Sequence, residues 1–176
     1  MRCFISIELP EEVKKELQKL QEDIRSSNIK ASFSKGFHLT LKYLGDLTPE
    51  KVEHVKKRLS SCKFKKFEVT LDDFGVFPNE KHIKVIWVGI KPEEDVVKLQ
   101  KEIDEAMQKD FKKEKQFKAH LTLARIKHVK DKENFLQFLK NIEIKKINFS
   151  VNEFKLMRST LTAEGPVYDE LFVYKQ

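Results

Sequence analysis

The sequence predicts an α+β fold of two similar lobes related by a pseudo-twofold. Each lobe is an antiparallel sheet backed by helices, and the two face each other across a central cleft. Three observations predict it. The tetrapeptide His-Leu-Thr-Leu stands at 38–41 and again 82 residues later at 120–123. The same offset carries Pro10-Glu11-Glu12 onto Pro92-Glu93-Glu94, Leu17 onto Leu99, and Phe67 and Val69 onto Phe149 and Val151. Each half also runs strand, helix, strand, helix, strand, with one more strand at the end, and self-similarity at a fixed period marks a duplicated unit. The 176 residues suit a single domain with repeats of approximately 1–80 and 81–176, large enough to bury a core without disulfides or a structural metal.

The elements follow in order. Residues 3–9, CFISIEL, alternate as a strand. Pro10 opens a helix over 11–25 that aligns Val13, Leu17, Leu20 and Ile24 on one face. A basic, Ser-rich stretch leads to the strand HLTLKYL. Thr48 and Pro49 start a second helix reaching about Leu59, with Val52, Val55 and Leu59 inward. FEVTLDDFGVF reads as a strand bounded by Pro78-Asn79. In the second half IKVIWVGI is a strand, 93–108 a helix presenting Val96, Leu99, Ile103 and Met107, and HLTLARI a strand. Asp131 caps a helix carrying Phe135, Leu136, Phe138, Leu139 and Ile142, and the strands INFSVNEFKLM and DELFVYK close the chain.

Composition excludes several classes. No apolar run approaches the roughly 18 residues of a membrane-spanning helix. The N-terminus turns acidic after eight residues and does not read as a secretory signal. Cys3 and Cys62 show no disulfide framework, which points to a reducing, cytoplasmic setting. No Gly-rich phosphate loop is present. Lys+Arg 35 against Asp+Glu 28 leaves +7, a surplus that suits an anionic partner such as nucleic acid.

The chemistry resides in the two His-x-Thr strands. Residues i and i+2 of a strand share a face. His38 and Thr40 therefore point one way while Leu39 and Leu41 enter the core, and His120 and Thr122 repeat the arrangement. One such strand alone is an ordinary strand with a surface histidine. Two at a repeat offset put two imidazoles and two hydroxyls around one small volume. That set suits phosphodiester hydrolysis, in which one His takes a proton from water, the other protonates the leaving alkoxide and the threonines hold phosphate oxygens. Two histidines without a nearby thiolate or carboxylate make an incomplete metal shell, so no metal is expected.

The residues resemble the 2H phosphoesterase superfamily, defined by two His-x-Thr/Ser motifs, and within it the RNA 2′,3′-cyclic phosphodiesterases, also known as 2′-5′ RNA ligases. FISIELP, FHLTLKYLGD, VIWVGI, AHLTLAR and STLTAEGPVYDEL carry the likeness across the whole chain in family order. Members often have Pro before the second His, where this chain has Ala119. The resemblance implies a bilobal α+β fold and hydrolysis of an RNA 2′,3′-cyclic phosphate to a 2′-phosphate. It implies His38 as proton donor to the leaving 3′ oxygen, His120 as the base that activates water, and Thr40 and Thr122 as phosphate-holding groups. No cofactor is implied. The expected partners are RNA with 2′,3′-cyclic phosphate ends, tRNA fragments among them, acted on by a monomer. The alternatives are 2′-5′ RNA ligation and a non-catalytic RNA- or nucleotide-binding module.

Other residues divide differently. Arg125, five positions past His120, faces away from it in an unbroken strand; a twist or bulge brings it near the phosphate, or it contacts substrate backbone, and otherwise it is a surface Arg with a packed stem. Tyr43 and Phe37 read as core on the opposite face from His38. His54, His82 and His128 read as solvated. The lysine clusters at 56–57, 63–66, 112–115 and 145–146 read as solvated faces or an RNA path.

Overall fold

A computed structural model describes residues 1–176. The first repeat forms β1 (Arg2–Glu8), α1 (Glu11–Arg25), β2 (Ile29–Phe33), β3 (His38–Asp46), α2 (Pro49–Leu59) and β4 (Phe67–Asn79). The second forms β5 (His82–Lys91), α3 (Glu94–Met107), β6 (His120–Val129), α4 (Lys132–Asn141), β7 (Asn148–Val151), β8 (Glu153–Thr162) and β9 (Gly165–Lys175). The helix starts follow the capping residues of the sequence: Thr48 Oγ1 accepts from Lys51 N–H at 3.3 Å, and Asp131 Oδ1 from Asn134 N–H at 3.1 Å.

Two antiparallel sheets result, a four-stranded one in the order β3–β1–β8–β9 and a five-stranded one in the order β2–β6–β5–β4–β7. The repeats and the sheets do not coincide, so residues 1–80 and 81–176 do not each build one lobe. β2 and β4 of the first repeat join β5 and β6, while β8 and β9 of the second join β1 and β3. The exchange turns about a local dyad. Phe67 pairs with Val151 and Val69 with Phe149, so the two repeat-equivalent segments pair with each other around Glu68 and Ser150.

The first helix of each repeat crosses in the same way. Gln21 on α1 reaches β6, and Asp104 on α3 reaches β3. One continuous core joins Leu17, Leu20, Leu39 and Leu41 to Leu99, Ile103, Leu121 and Leu123. A shared core holds the two sheets at a set separation, and that separation defines the cleft.

Two elements differ from the sequence reading. The basic stretch after α1 contains β2, which pairs antiparallel with β6; IKASF alternates with Lys30 and Ser32 outward, but the pattern is only five residues long within a basic, Ser-rich stretch. INFSVNEFKLM is two strands. The chain leaves one sheet at Asn152, so that β7 pairs with β4 and β8 with β1.

Candidate active site

β3 and β6 supply the site, each through a one-residue bulge. Opposite β1, Ile5 pairs with Lys42 and Ser6 with Thr40, leaving Leu41 as the extra residue. Opposite β5, Ile86 pairs with Ala124 and Trp87 with Thr122, leaving Leu123 as the extra residue. A bulge reverses the alternation of side chains beyond it. Leu41 and Lys42 are accordingly both buried, as are Leu123 and Ala124. Tyr43 and Arg125 thereby return to the face of the two His-x-Thr motifs. Tyr43, read from sequence as core, is 66% exposed and lines the cleft. The simple two-residue period fails here because it counts through the bulge.

Each bulge is braced from behind by the helix that crosses from the other sheet. The Leu123 carbonyl accepts from Gln21 Nε2 at 2.8 Å and from Ser34 N–H at 2.9 Å. The Leu41 bulge sends Lys42 into the core, where Nζ lies 2.5 Å from Asp104 Oδ1 and donates to the Lys112 carbonyl at 2.7 Å. Asp104 also accepts from Gln100 Nε2 and Glu114 N–H. Burial works to raise the Asp104 carboxyl, but the hydrogen bonds from Lys42, Gln100 and Glu114 hold it below the usual carboxylate range.

The cleft between the sheets has a volume of ≈ 350 Å³. His38, Thr40, His120, Thr122 and Arg125, the five residues singled out from sequence, all line it. Residues the sequence did not single out join them: Lys35 before β3 and Tyr168 on β9. Close approach of Tyr168 requires glycine at Gly36, where a Cβ would come within 2.8 Å of the ring. Tyr168 carries no repeat signature, because β9 has no counterpart in the first repeat.

The two imidazoles sit in different surroundings. His38 lies 4.7 Å from the Phe4 ring and 4.9 Å from the Tyr168 ring, between centroids. Burial pushes it down from 6.5 to about 4, with the Glu8 charge opposing. His120 stands edge-on to Phe77 at 4.9 Å, and its Nδ1 lies 2.7 Å from the Lys118 carbonyl. Donation to that carbonyl sets the neutral ring as the Nδ1–H tautomer and leaves the Nε2 lone pair available. Burial lowers His120 as well; the Lys118 carbonyl opposes the shift and the Arg125 charge adds to it. Glu93 steadies this strand entry, taking Lys118 Nζ at 2.6 Å and Ala119 N–H at 2.7 Å. Ala119 can donate that bond, whereas a proline there has no N–H.

His54, His82 and His128 are exposed and lie outside the cleft, as the sequence reading expects. No group of three or more His, Cys, Asp or Glu side chains is arranged to hold a metal ion. No helix is long and apolar enough to cross a membrane.

A two-histidine, two-threonine cleft on a duplicated strand pair is a phosphoester-handling arrangement, and comparison with known proteins agrees. The model of the LigT-like phosphoesterases matches twice, at residues 7–87 and 88–168. The chain belongs to the LigT-like phosphoesterase family. Among its relatives, the RNA 2′,3′-cyclic phosphodiesterase of Methanocaldococcus jannaschii is 33% identical over 173 residues, covering 96% of this chain and 97% of the relative. That of Thermotoga maritima is 32% identical over 179 residues, covering 98% and 94%. A solved Thermus thermophilus structure superposes with a TM-score of 0.77 at 27% identity, over 99% of this chain and 97% of that one. Escherichia coli LigT in complex with 3′-AMP superposes at 0.73 and 21% identity, covering 99% and 96%, and shares the fold. This LigT-like phosphoesterase thus has its family's duplicated scaffold with both motifs intact.

Proposed function

We propose that this LigT-like phosphoesterase hydrolyses 2′,3′-cyclic phosphate ends of RNA to 2′-phosphates without a cofactor. The observation that carries the reading is the convergence of His38, Thr40, His120, Thr122 and Arg125 on one ≈ 350 Å³ cleft. Relatives named RNA 2′,3′-cyclic phosphodiesterase, matched over nearly the whole chain, support the substrate.

The cyclic phosphate enters with its non-bridging oxygens toward the Thr40 and Thr122 hydroxyls and the Arg125 guanidinium, which stabilise the charge that builds in the transition state. His120 takes a proton from water as the water oxygen bonds to phosphorus. The P–O3′ bond breaks on the opposite side, and His38 delivers its proton to O3′. A 2′-phosphomonoester and a free 3′-hydroxyl leave, with His120 protonated and His38 neutral; exchange with solvent resets both. His38, held near 4 by burial, gains its proton beside the phosphate anion, whose charge favours the imidazolium. The proposal extends to tRNA fragments with such ends, handled by a monomer in the cytoplasm.

The test is incubation with an RNA oligonucleotide bearing a 2′,3′-cyclic phosphate, with products identified by mass and phosphorus NMR. Gain of one water and a 2′-phosphate is expected. A joined 2′–5′ product would transfer the reading to ligation, and tight binding without turnover would transfer it to a binding module.

A further inference from the structure

Beyond the catalytic cleft, the arginines of this chain are distributed in an unexpected way. Only five of the 35 basic residues are Arg, and three of those five, Arg2, Arg125 and Arg158, line a single groove. The groove has a volume of ≈ 770 Å³ and opens off the cleft beside His38, running between the ends of β1 and β3 and the β8–β9 hairpin. None of the lysine clusters at 56–57, 63–66, 112–115 and 145–146 reaches it. Two carboxylates temper its charge. Asp46 lines it, and Asp169 Oδ2 accepts from Arg158 Nε at 3.1 Å and Nη2 at 2.9 Å. That pairing fixes the plane of the Arg158 guanidinium and leaves Nη1 without a protein partner. Apolar surface sits at the rim: Leu161 at the hairpin is 78% exposed, and the Tyr43 ring lines the groove at 66% exposure.

We propose that this groove binds the RNA chain on the 5′ side of the terminal nucleotide, with Arg2 and Arg158 on internal phosphates and Tyr43 and Leu161 against base faces. The proposal rests on the hydrolytic reading above and deepens it, since it makes the substrate an oligonucleotide rather than a mononucleotide. Direction follows from the reaction. In-line displacement puts the attacking water on the side of His120 and the departing O3′, with its ribose, on the side of His38. The chain attached to that ribose therefore leaves the cleft past His38. The groove contains His38 and not His120. The pocket on the other side, ≈ 280 Å³, contains His120 and not His38, and no arginine lines it. Planar guanidiniums that bind phosphate oxygens two at a time, beside aromatic and apolar faces that accept any base, are what a sequence-tolerant single-stranded RNA track needs.

Binding is measured for an RNA trinucleotide ending in a 2′-phosphate and for a nucleoside 2′-phosphate, with wild type, Arg2→Ala, Arg158→Gln, Arg158→Lys and the control Lys57→Ala, an exposed lysine on α2. The trinucleotide is expected to bind wild type at least roughly tenfold tighter than the mononucleotide. Arg2→Ala and Arg158→Gln each weaken the trinucleotide about five- to tenfold, shift the mononucleotide less than about twofold, and lower the salt slope by about one. Arg158→Lys keeps the charge and falls between. Equal affinity of wild type for the two ligands, or arginine variants indistinguishable from Lys57→Ala, would overturn the proposal. Cleavage of the cyclic-ended trinucleotide by wild type is scored separately. Arginine-dependent binding without cleavage upholds the groove and sinks the hydrolytic reading; cleavage with arginine-independent binding does the reverse.

Discussion

Tyr43 and Arg125 occupy equivalent positions, 82 residues apart and each three residues past the threonine of its motif. Both reach the cleft only because a bulge, at Leu41 in β3 and at Leu123 in β6, turns the strand by one residue. The duplication thus supplies two copies of a strand that presents three side chains, not two, to the cleft. The third differs between copies: a phenol beside His38 and a guanidinium beside His120. That asymmetry gives each half of the cleft its own electrostatics.

The pH dependence of kcat/KM is expected to be a bell with an acidic optimum. Both imidazoles are lowered, His38 to about 4 and His120 to a value under 6.5. The reactive form carries one proton on the pair, so the rate falls below about 4, where both rings charge, and above the upper value, where both are neutral. The profile of kcat, measured with phosphate in place, is displaced to higher pH because the anion favours imidazolium. An alkaline optimum for kcat/KM would contradict these environments.

Removing either histidine should cost about 10²–10⁴-fold in kcat/KM, and removing both much less than the product of the two losses. The roles separate with an activated aryl phosphodiester, whose leaving group departs unprotonated. His38→Ala is expected to be largely rescued on it and His120→Ala not. Rescue of His120→Ala instead would exchange the roles.

Arg125→Ala should lower kcat/KM roughly tenfold or more, the effect of one charged hydrogen bond to phosphate worth about 1.5–3 kcal/mol. Gln21→Met, made far from the substrate, removes the side-chain brace from the Leu123 carbonyl and leaves only Ser34 N–H. It should reduce activity in the wild type but add little in the Arg125→Ala background, since Gln21 acts through that guanidinium. Additive losses in a double-mutant cycle would detach the bulge from Arg125.

Lys42→Met strands the Asp104 carboxylate in the core and should destabilise the fold by about 3–5 kcal/mol in denaturant unfolding. Lys42→Met combined with Asp104→Leu should recover most of that loss, because an apolar pair leaves no buried charge. Failure of the double variant to recover would mean that the contacts of Asp104 with Gln100 and Glu114 N–H matter more than the charge pair.

Stability itself should fall between pH 6.5 and about 4. His38 titrates near 4 when folded and near 6.5 when unfolded, so over that window the unfolded chain takes up the proton first. Stability is full above the unfolded value and drops by about 3 kcal/mol by the time pH reaches the folded one. His38→Asn should flatten this part of the curve, measured by urea unfolding across the pH series.

The sequence by itself determined the duplication, the helices with their Thr48 and Asp131 caps, and the four motif residues on two strands. Each of these is local: a period of two or of 3.6, a capping side chain, or a match at a fixed offset is legible without knowing any neighbour. Only the tertiary structure decided which strands share a sheet. β4 and β8 carry apolar patterns that either sheet would accept, and the choice is made by pairing across the dyad at Glu68 and Ser150. Only the structure, too, placed Tyr43 and Arg125 in the cleft. A bulge is a mismatch between two strands, and one strand read alone has no partner to be mismatched against. The lowered His38 has the same origin, since its burial comes from Phe4 and Tyr168, which the chain brings together from opposite ends.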